Sequence, residues 1–490
     1  MPPPDAAARA ALALLSREDE VRYAEVRFVD ERTERLCVRD GRPEQVTTGA
    51  SRGVGIRVLG ARTWGFACTA DVTEAGLVRA ARAAVGVAKA SSRMAPHRVV
   101  FPELVGPTGR YETPWVVDPF AVSLEDKMAE LERPVLAMLA KGGRIQSAEA
   151  WMEWTRLCKR LLSTEGADTI QSFTYGGCGM AVIAIDDAGR TQRRSYPTWQ
   201  GGDGFQGGYE RVAELDLMAH TDRLCDEATA LLTAPPCPEG QRDVILESSQ
   251  MALQIHESCG HPAELDRVLG TEISLAGGSF LQPDLLGNLR YGSSEVDLIA
   301  DATSPLGMGT FGWDDEGTPA GKHALVERGL FVDYLSSRET AAALGRPSTG
   351  TMRAESWNRT PLIRMVNVSL EPKTGTLDAL VADTEDGLYI ECDKSWSIDD
   401  LRLNFQFSCE IAWEIKHGKK TRLLRDPLYT GITPQFWRSC DAVCGKEEWK
   451  LWGVSTCGKG EPMQTVPVGH GAAPARFLCV TVGSAGAVGR

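Results

Sequence analysis

The chain has 490 residues, 43% of them hydrophobic and 24% charged, and a net charge of −13. That length allows two to four domains with separate cores, while the acidic balance opposes binding to a phosphate backbone, which calls for clustered basic side chains. No apolar run approaches the roughly 18 residues that cross a bilayer, the first twenty residues lack the basic start of a signal peptide, and 13 scattered cysteines without a C-x-x-C pair read as reduced thiols of a cytoplasmic protein.

Residues 20–70 contain three strand-like blocks, "YAEVRFVD", "ERLCVRD" and "GVGIRVLG". A helix, "AGLVRAARAAVGVAKA", follows, with Asp71 and Glu74 at capping-box spacing in front of it. After a Pro/Gly-punctuated stretch at 95–118 the order partly recurs to about residue 232, ending in the helix "YERVAELDLMAHTDRLCDEATALL". "GVGIRVLG" and "GCGMAVIA" are candidate equivalent positions of an internal duplication. "TAPPCPEGQ" (233–241) reads as a linker.

Beyond the linker the pattern turns to antiparallel β. "HALVERGLFVDYLSS" reads as a hairpin turning at Glu327-Arg328-Gly329, and Phe405, Phe407, Cys409, Ile411, Trp413 and Ile415 alternate as on a half-buried strand. The expected architecture is α+β. Two α/β subdomains, 1–105 and 106–236, with a duplicated strand–helix order, precede a β-rich, largely antiparallel catalytic domain, 237–490.

Three motifs lead nowhere. "GMGTFG" (307–312) fits G-x-G-x-x-G but runs into the turn-like "WDDEGTP" rather than a helix, and "PAGKH" lacks the glycine spacing of a phosphate loop. The basic run "HGKKTRLLR" (417–425) reads as a solvated turn and strand. No organic cofactor, nucleic acid or membrane partner is expected.

The chemistry points to "LQIHESCGHPAEL" (253–265), which holds His-Glu-x-x-x-His. Zinc peptidases carry His-Glu-x-x-His on a helix, where positions four apart share a face. His256 and His261 are five apart, about 140° around a regular helix. They can share one ion only if a π-turn widens the helix or if the helix breaks locally, for which Gly260 and Pro262 supply the means. Glu257 beside them is then the general base toward an attacking water. A catalytic zinc needs a third protein ligand. The residues alone leave it open among Cys259, His323, Cys457, His470 and the carboxylates, with Cys259 read as packing and Cys457, in the glycine-flanked "VSTCGKGEPMQTVPVG", as a free thiol first. The strand "RMVNVSLEP" (364–372) has two readings: core β structure, or an edge that pairs with an extended peptide and makes Arg364 and Asn367 substrate contacts.

The His-Glu-x-x-x-His motif, "LDRVLG", "GNLRYGSSEVDLIAD", "GTFGWDDEGTPA", "RMVNVSLEP" and "TCGKGEPMQTVPVG", in that order, resemble the TldD/PmbA family of metallopeptidases from about residue 20 to the C-terminus. The intact motif resembles the TldD side of the family. The resemblance implies His256, His261 and Cys457 as ligands of one zinc, or another divalent transition metal, per catalytic subunit, with Glu257 as the catalytic acid/base. It also implies a TldE/PmbA-like partner in a heterodimer, with a homodimer as fallback, acting on short unfolded peptides that include leader peptides of natural products. Pro262 and the Trp- and Cys-dense stretch 437–457 depart from the family pattern and bear on substrate choice. Alternative functions are a dedicated biosynthetic amide hydrolase using the same metal, and a scaffold whose metal is structural.

Overall fold

The computed structural model describes residues 5–197, 202–275 and 277–485. Strands β1 (Tyr23–Arg39) and β2 (Arg42–Leu59) form a long hairpin. It turns at Asp40 and Gly41, both with positive φ (52° and 71°), the twist that matches a right-handed ribbon. β3 (Trp64–Thr69) pairs with β2, and α1 (Asp5–Leu15) and α2 (Glu74–Ser92) cover one face. The helix starts where the spacing places it, but Thr73 is the cap: its hydroxyl accepts the Gly76 N–H, while Asp71 accepts from Thr73.

The second block supplies β4 (Thr108–Glu112), α3 (Leu124–Ala140), β5 (Ile145–Ser163), β6 (Asp168–Ile185), β7 (Thr191–Tyr196), β8 (Asp203–Gln206) and α4 (Leu217–Thr233). β1 pairs antiparallel with β5 from Glu25–Ser163 to Arg39–Glu149, so segments 1–105 and 106–236 contribute to one eight-stranded sheet. Adding 124 to each residue number carries the pair Val26–Ile56 onto Ala150–Met180, and Gly53 onto Gly177. The two hairpins are thus copies in one register, and the β1–β5 seam lets each cover the other's open edge.

Alternation sorts this sheet's two faces. Val26, Phe28, Met152, Trp154 and Met180 point to the helices. Glu31, Thr33, Glu153, Lys159, Phe173 and Tyr175 point the other way, toward the C-terminal half.

That half begins with β9 (Gly240–Leu246) and α5 (Ser248–Ile255). A small sheet follows from β10 (Leu298–Asp301), β11 (Lys322–Glu327) and β12 (Val368–Leu370). The predicted hairpin after β11 turns at Arg328 and Gly329, both with positive φ. Next come β13 (Asp386–Ile398), β14 (Asn404–Lys416), β15 (Lys419–Arg425), β16 (Pro427–Ile432), β17 (Lys450–Lys459), β18 (Gln464–Ala472) and β19 (Ala475–Ser484). Strands pair in the order β13-β9-β19-β16-β14-β15, and β13 also pairs with β14. Five strands therefore close into a ring in which each has a neighbour on both sides. Only β13–β9 among its pairs is parallel. The α+β, mostly antiparallel architecture holds.

A buried ion cluster fastens the halves together. Arg194 on β7 donates to Glu227 of α4 at 2.9 Å, Glu391 of β13 at 3.0 Å and Glu410 of β14 at 2.9 Å. Glu410 also accepts from the Ser195 N–H and hydroxyl. Burial pushes the Glu391 carboxyl up to about 7 even with Arg194 beside it. Replacing Arg194 strands these carboxylates in the interior. Arg194→Met is expected to destabilise the fold by about 3–5 kcal/mol, and Arg194→Met with Glu410→Gln to recover part of that loss, read from denaturant midpoints.

Candidate metal centre

The motif sits at the most buried place in the chain: every residue from Ser248 to Val268 is buried. Glu247 caps α5 by accepting the Ser249 N–H. The helix is regular to Ile255, and His256–Gly260 then forms a π-turn in which the His261 N–H bonds the His256 carbonyl, five residues back. A short 3₁₀ turn, His261–Ala263, with Pro262 in it, ends the run. Gly260 permits this packing, since a Cβ there would lie 1.9 Å from Met365 Sδ. Both structural remedies for the five-residue spacing are used.

As a result the two imidazoles face one another nearly at right angles, with centroids 4.8 Å apart. Cys457 arrives on β17 at a bulge, where Val454 pairs with Val468 but Cys457 pairs with Val466. Its Sγ lies 3.7 Å from His261 Nε2, and one ligand atom from each of His256, His261 and Cys457 lies within 4.8 Å of the others. A tetrahedral zinc with bonds of 2.0–2.3 Å spaces its ligands about 3.3–3.8 Å apart. The donor set suits such an ion. His261 Nδ1 is 3.1 Å from Glu264 Oε2, an acceptor, so Nδ1 carries a proton and Nε2 is the nitrogen turned toward Cys457. Burial raises the Cys457 thiol, but His261 and Arg364 outweigh it and hold it below the ordinary thiol value. That favours a thiolate.

Glu257 borders the same cavity, a space of about 320 Å³ lined also by Trp396, Arg402 and Trp452. Arg402 donates to Glu257 Oε2 from a turn in which its own φ is +62°. Burial raises the Glu257 carboxyl, and Arg402 with the two histidines reverses this to leave it below the ordinary range.

The rival ligands are placed elsewhere. Cys259 accepts from the Tyr291 hydroxyl at 3.1 Å, and burial pushes its thiol up to about 12. His323 lies on β11 opposite Ala300. His470 has both ring nitrogens engaged, with His256 Nδ1 at 2.7 Å and the Val368 carbonyl at 3.0 Å.

Arg364 and Asn367 sit as the core reading of their strand places them. Both are wholly buried, and neither lines the cavity. Arg364 donates to the carbonyls of Cys457 and Gln464 and so clamps the β17–β18 hairpin. Asn367 bonds Asp301 O, Thr310 Oγ1 and the Gly309 N–H, pinning the "GMGTFG" loop. Nor is their strand a free edge. β12 pairs with β10, and on its other side Gly469 N–H donates to Val366 O and Gly471 N–H to Ser369 Oγ.

Sequence reading missed Glu264, Lys459 and Arg402, and placed His470 only among the candidate ligands. Glu264 follows His261 by three positions, a spacing at which the two can bond, and Lys459 follows Cys457 by two; both were visible as signals. Lys459 Nζ reaches Asp266 at 2.6 Å, Ile363 O at 2.8 Å and Glu264 at 3.4 Å. Arg402 and His470 reach the motif across 145 and 214 positions and give no local signal.

Comparison with known proteins decides the family. Residues 239–483 match the model of the PmbA/TldA metallopeptidase C-terminal domain, and residues 24–88 match domain 1 of the same group. The chain belongs to the PmbA/TldD metallopeptidase family. A metalloprotease of Methanocaldococcus jannaschii is 29% identical, with 93% of this chain and 96% of that protein covered. The metalloprotease TldD homolog of Haemophilus influenzae is 25% identical over 94% of this chain and 92% of its own length. Among solved structures, TldE from Thermococcus kodakarensis has a TM-score of 0.74 at 15% identity, covering 98% of this chain and 100% of that one, which shows a shared fold. No helix among the described residues is long and apolar enough to cross a membrane.

Metal content should separate the two cysteines of this PmbA/TldD site. Cys457→Ser is expected to lose most of the metal that the unaltered chain retains, because a hydroxyl replaces a thiolate poorly. Cys259→Ser should keep it. Elemental analysis of the purified variants checks both, and the opposite ranking would mean the third ligand lies elsewhere.

Proposed function

We propose that the chain is a metallopeptidase that hydrolyses peptide bonds of short, unfolded peptides, with one divalent transition metal ion, zinc in first place, held by His256, His261 and Cys457. The observation that carries this reading is the convergence of those three donors and Glu257 on one buried cavity. Three protein ligands fit a catalytic site, whereas a structural zinc site is closed by four. The ion, when bound, supplies Lewis acidity toward the scissile carbonyl and acidifies the attacking water. Glu257 takes the proton of that water as general base and returns it to the leaving amine. Arg402 holds Glu257 in its ionised form and fixes its orientation.

Support for a peptide substrate comes from a second cavity, about 380 Å³, on the far side of the β17 bulge. It lies between the helix-free face of the eight-stranded sheet and the C-terminal half. Phe173, Tyr175, Trp313 and the Lys159–Asp315 ion pair line it. Thr456, next to Cys457, borders both cavities. An extended peptide lying in this cleft would run up to the bulge that carries Cys457. Leader peptides and natural-product precursors belong to the class that fits. A TldE-like partner in a heterodimer, with a homodimer as fallback, and a cytoplasmic site of action complete the reading.

Glu257→Gln is expected to retain metal and to lose peptide hydrolysis by about a hundredfold or more. The assay uses an unstructured peptide, with the chain alone and co-expressed with a TldE-like partner. Wild-type turnover in that variant would sink the assignment. The pH profile carries a second test. Glu257 works as the carboxylate, and Arg402 keeps its pKa low, so activity extends to acid pH. Arg402→Gln removes that support and should move the acid limb of kcat/KM to higher pH; an unmoved limb would mean another group controls it.

A further inference from the structure

We infer that His470 is a positioning residue that fixes the tautomer of His256 and so selects the ring nitrogen offered to a metal ion; the inference rests on the metal-centre reading above. The argument is one of donors and acceptors. His470, on β18, is wholly buried, with Nδ1 3.0 Å from the Val368 carbonyl and Nε2 2.7 Å from His256 Nδ1. A carbonyl oxygen can only accept, so the hydrogen in the first bond is on His470 Nδ1. A neutral imidazole has one N–H, and His470 Nε2 is therefore a lone pair. The hydrogen in the second bond must then belong to His256 Nδ1. That leaves His256 Nε2 unprotonated and free to ligate. Reversing the order would set the His470 Nδ1 lone pair against the Val368 lone pairs between two wholly buried residues.

The two ligand histidines are thus set by different acceptors, His261 by the Glu264 carboxylate and His256 by an imidazole. The imidazole adds no charge to a cradle that already holds Glu257, Glu264 and Cys457. His470 is itself held in line, because Gly469 and Gly471 on either side of it bond to Val366 and Ser369. The strand 364–372 supplies the fixed end of a relay, Val368 O to His470 to His256. His470 does not line the ligand cavity, which places its action on His256 and not on a substrate.

The test uses the full chain, stripped of metal and titrated with zinc against a chromophoric chelator. His470→Leu removes the acceptor and should weaken zinc binding by about 10–100-fold, the usual effect of losing such a partner. His470→Gln, whose amide can donate to Val368 O and accept from His256, should recover most of the affinity. The cobalt-loaded His470→Leu chain should also show an altered ligand-field spectrum. Metal-free melting points of both variants near that of the wild type separate a site effect from misfolding. Wild-type affinity in His470→Leu, or no recovery in a folded His470→Gln, would overturn the inference. A measurement without variants covers the case in which they fail to fold. Selective ¹⁵N labelling of the histidines should show His256 and His470 of the metal-free chain protonated on Nδ1, and an Nε2-protonated form of either ring would equally overturn it. A wild-type chain that takes up no zinc, with the Nδ1-protonated rings still observed, would instead sink the metal-centre reading.

Discussion

The candidate metal centre depends on the backbone hydrogen bond from the His261 N–H to the His256 carbonyl. On a regular helix these two residues would point about 140° apart, and no side-chain rotation brings their rings to a common ion. One extra residue in the turn removes that angle. The π-turn is a less favourable helix form, so something must impose it. Two features do so. Gly260 lets Met365 pack where a side chain would stand, and Pro262 cannot donate the hydrogen bond that would continue the helix. Complete burial of residues 248–268 then leaves the segment no solvent-exposed alternative.

Charge holds the second ligand-bearing element against the first. Lys459 stands two residues beyond Cys457 on β17, yet its ammonium bonds Asp266, five residues beyond His261, and lies near Glu264. Glu264 meanwhile accepts from His261 and from Arg267 at 2.7 Å. Lys459 and Glu264 are wholly buried and Asp266 and Arg267 nearly so, and a buried ion is tolerated only when its partners are in place. The bonds that pair these ions therefore fix the separation of Cys457 from His261. The cradle is preorganised by the chain itself, which lowers the ordering that binding must impose.

Local patterns made much of this legible. The recurring strand–helix order, the turn at Arg328-Gly329 and the alternation from Phe405 to Ile411 are short-range signals, and each corresponds to an element of the structure. The need for an irregular helix followed from the five-residue spacing, and the third donor from the family resemblance. What stayed hidden is non-local. The β1–β5 seam joins strands more than a hundred residues apart, so the two N-terminal subdomains read as separate while sharing a sheet. Arg402 acts on the motif from the turn between β13 and β14 of the closed ring, and His470 from β18, and both come near it only through tertiary packing. Arg364 and Asn367 left two readings open because a polar residue on an apolar strand can look like a binding group. Buried donors and acceptors need partners, and here the partners are backbone atoms of the hairpin and loop that frame the site.

The duplicated N-terminal half has a physical place in the site as well. Doubling the hairpin across a two-sided seam makes a sheet long enough to offer helices one face and the catalytic half the other. The face turned inward is polar and charged at Glu31, Glu153 and Lys159 and aromatic at Phe173 and Tyr175, a composition that would not pack as a dry core. A cleft at that junction is the consequence, since such side chains keep water or ligand beside them. Lys159 reaches across to Asp315 and to the Ala354 carbonyl, and Arg57 on β2 reaches Glu316, so the wall is tied to the loops that border the bulge. The ligands alone could be carried by the C-terminal half. The pocket beside those ligands is lined by the C-terminal half alone, and the duplicated half adds a second cleft next to it, sharing Thr456 as a wall.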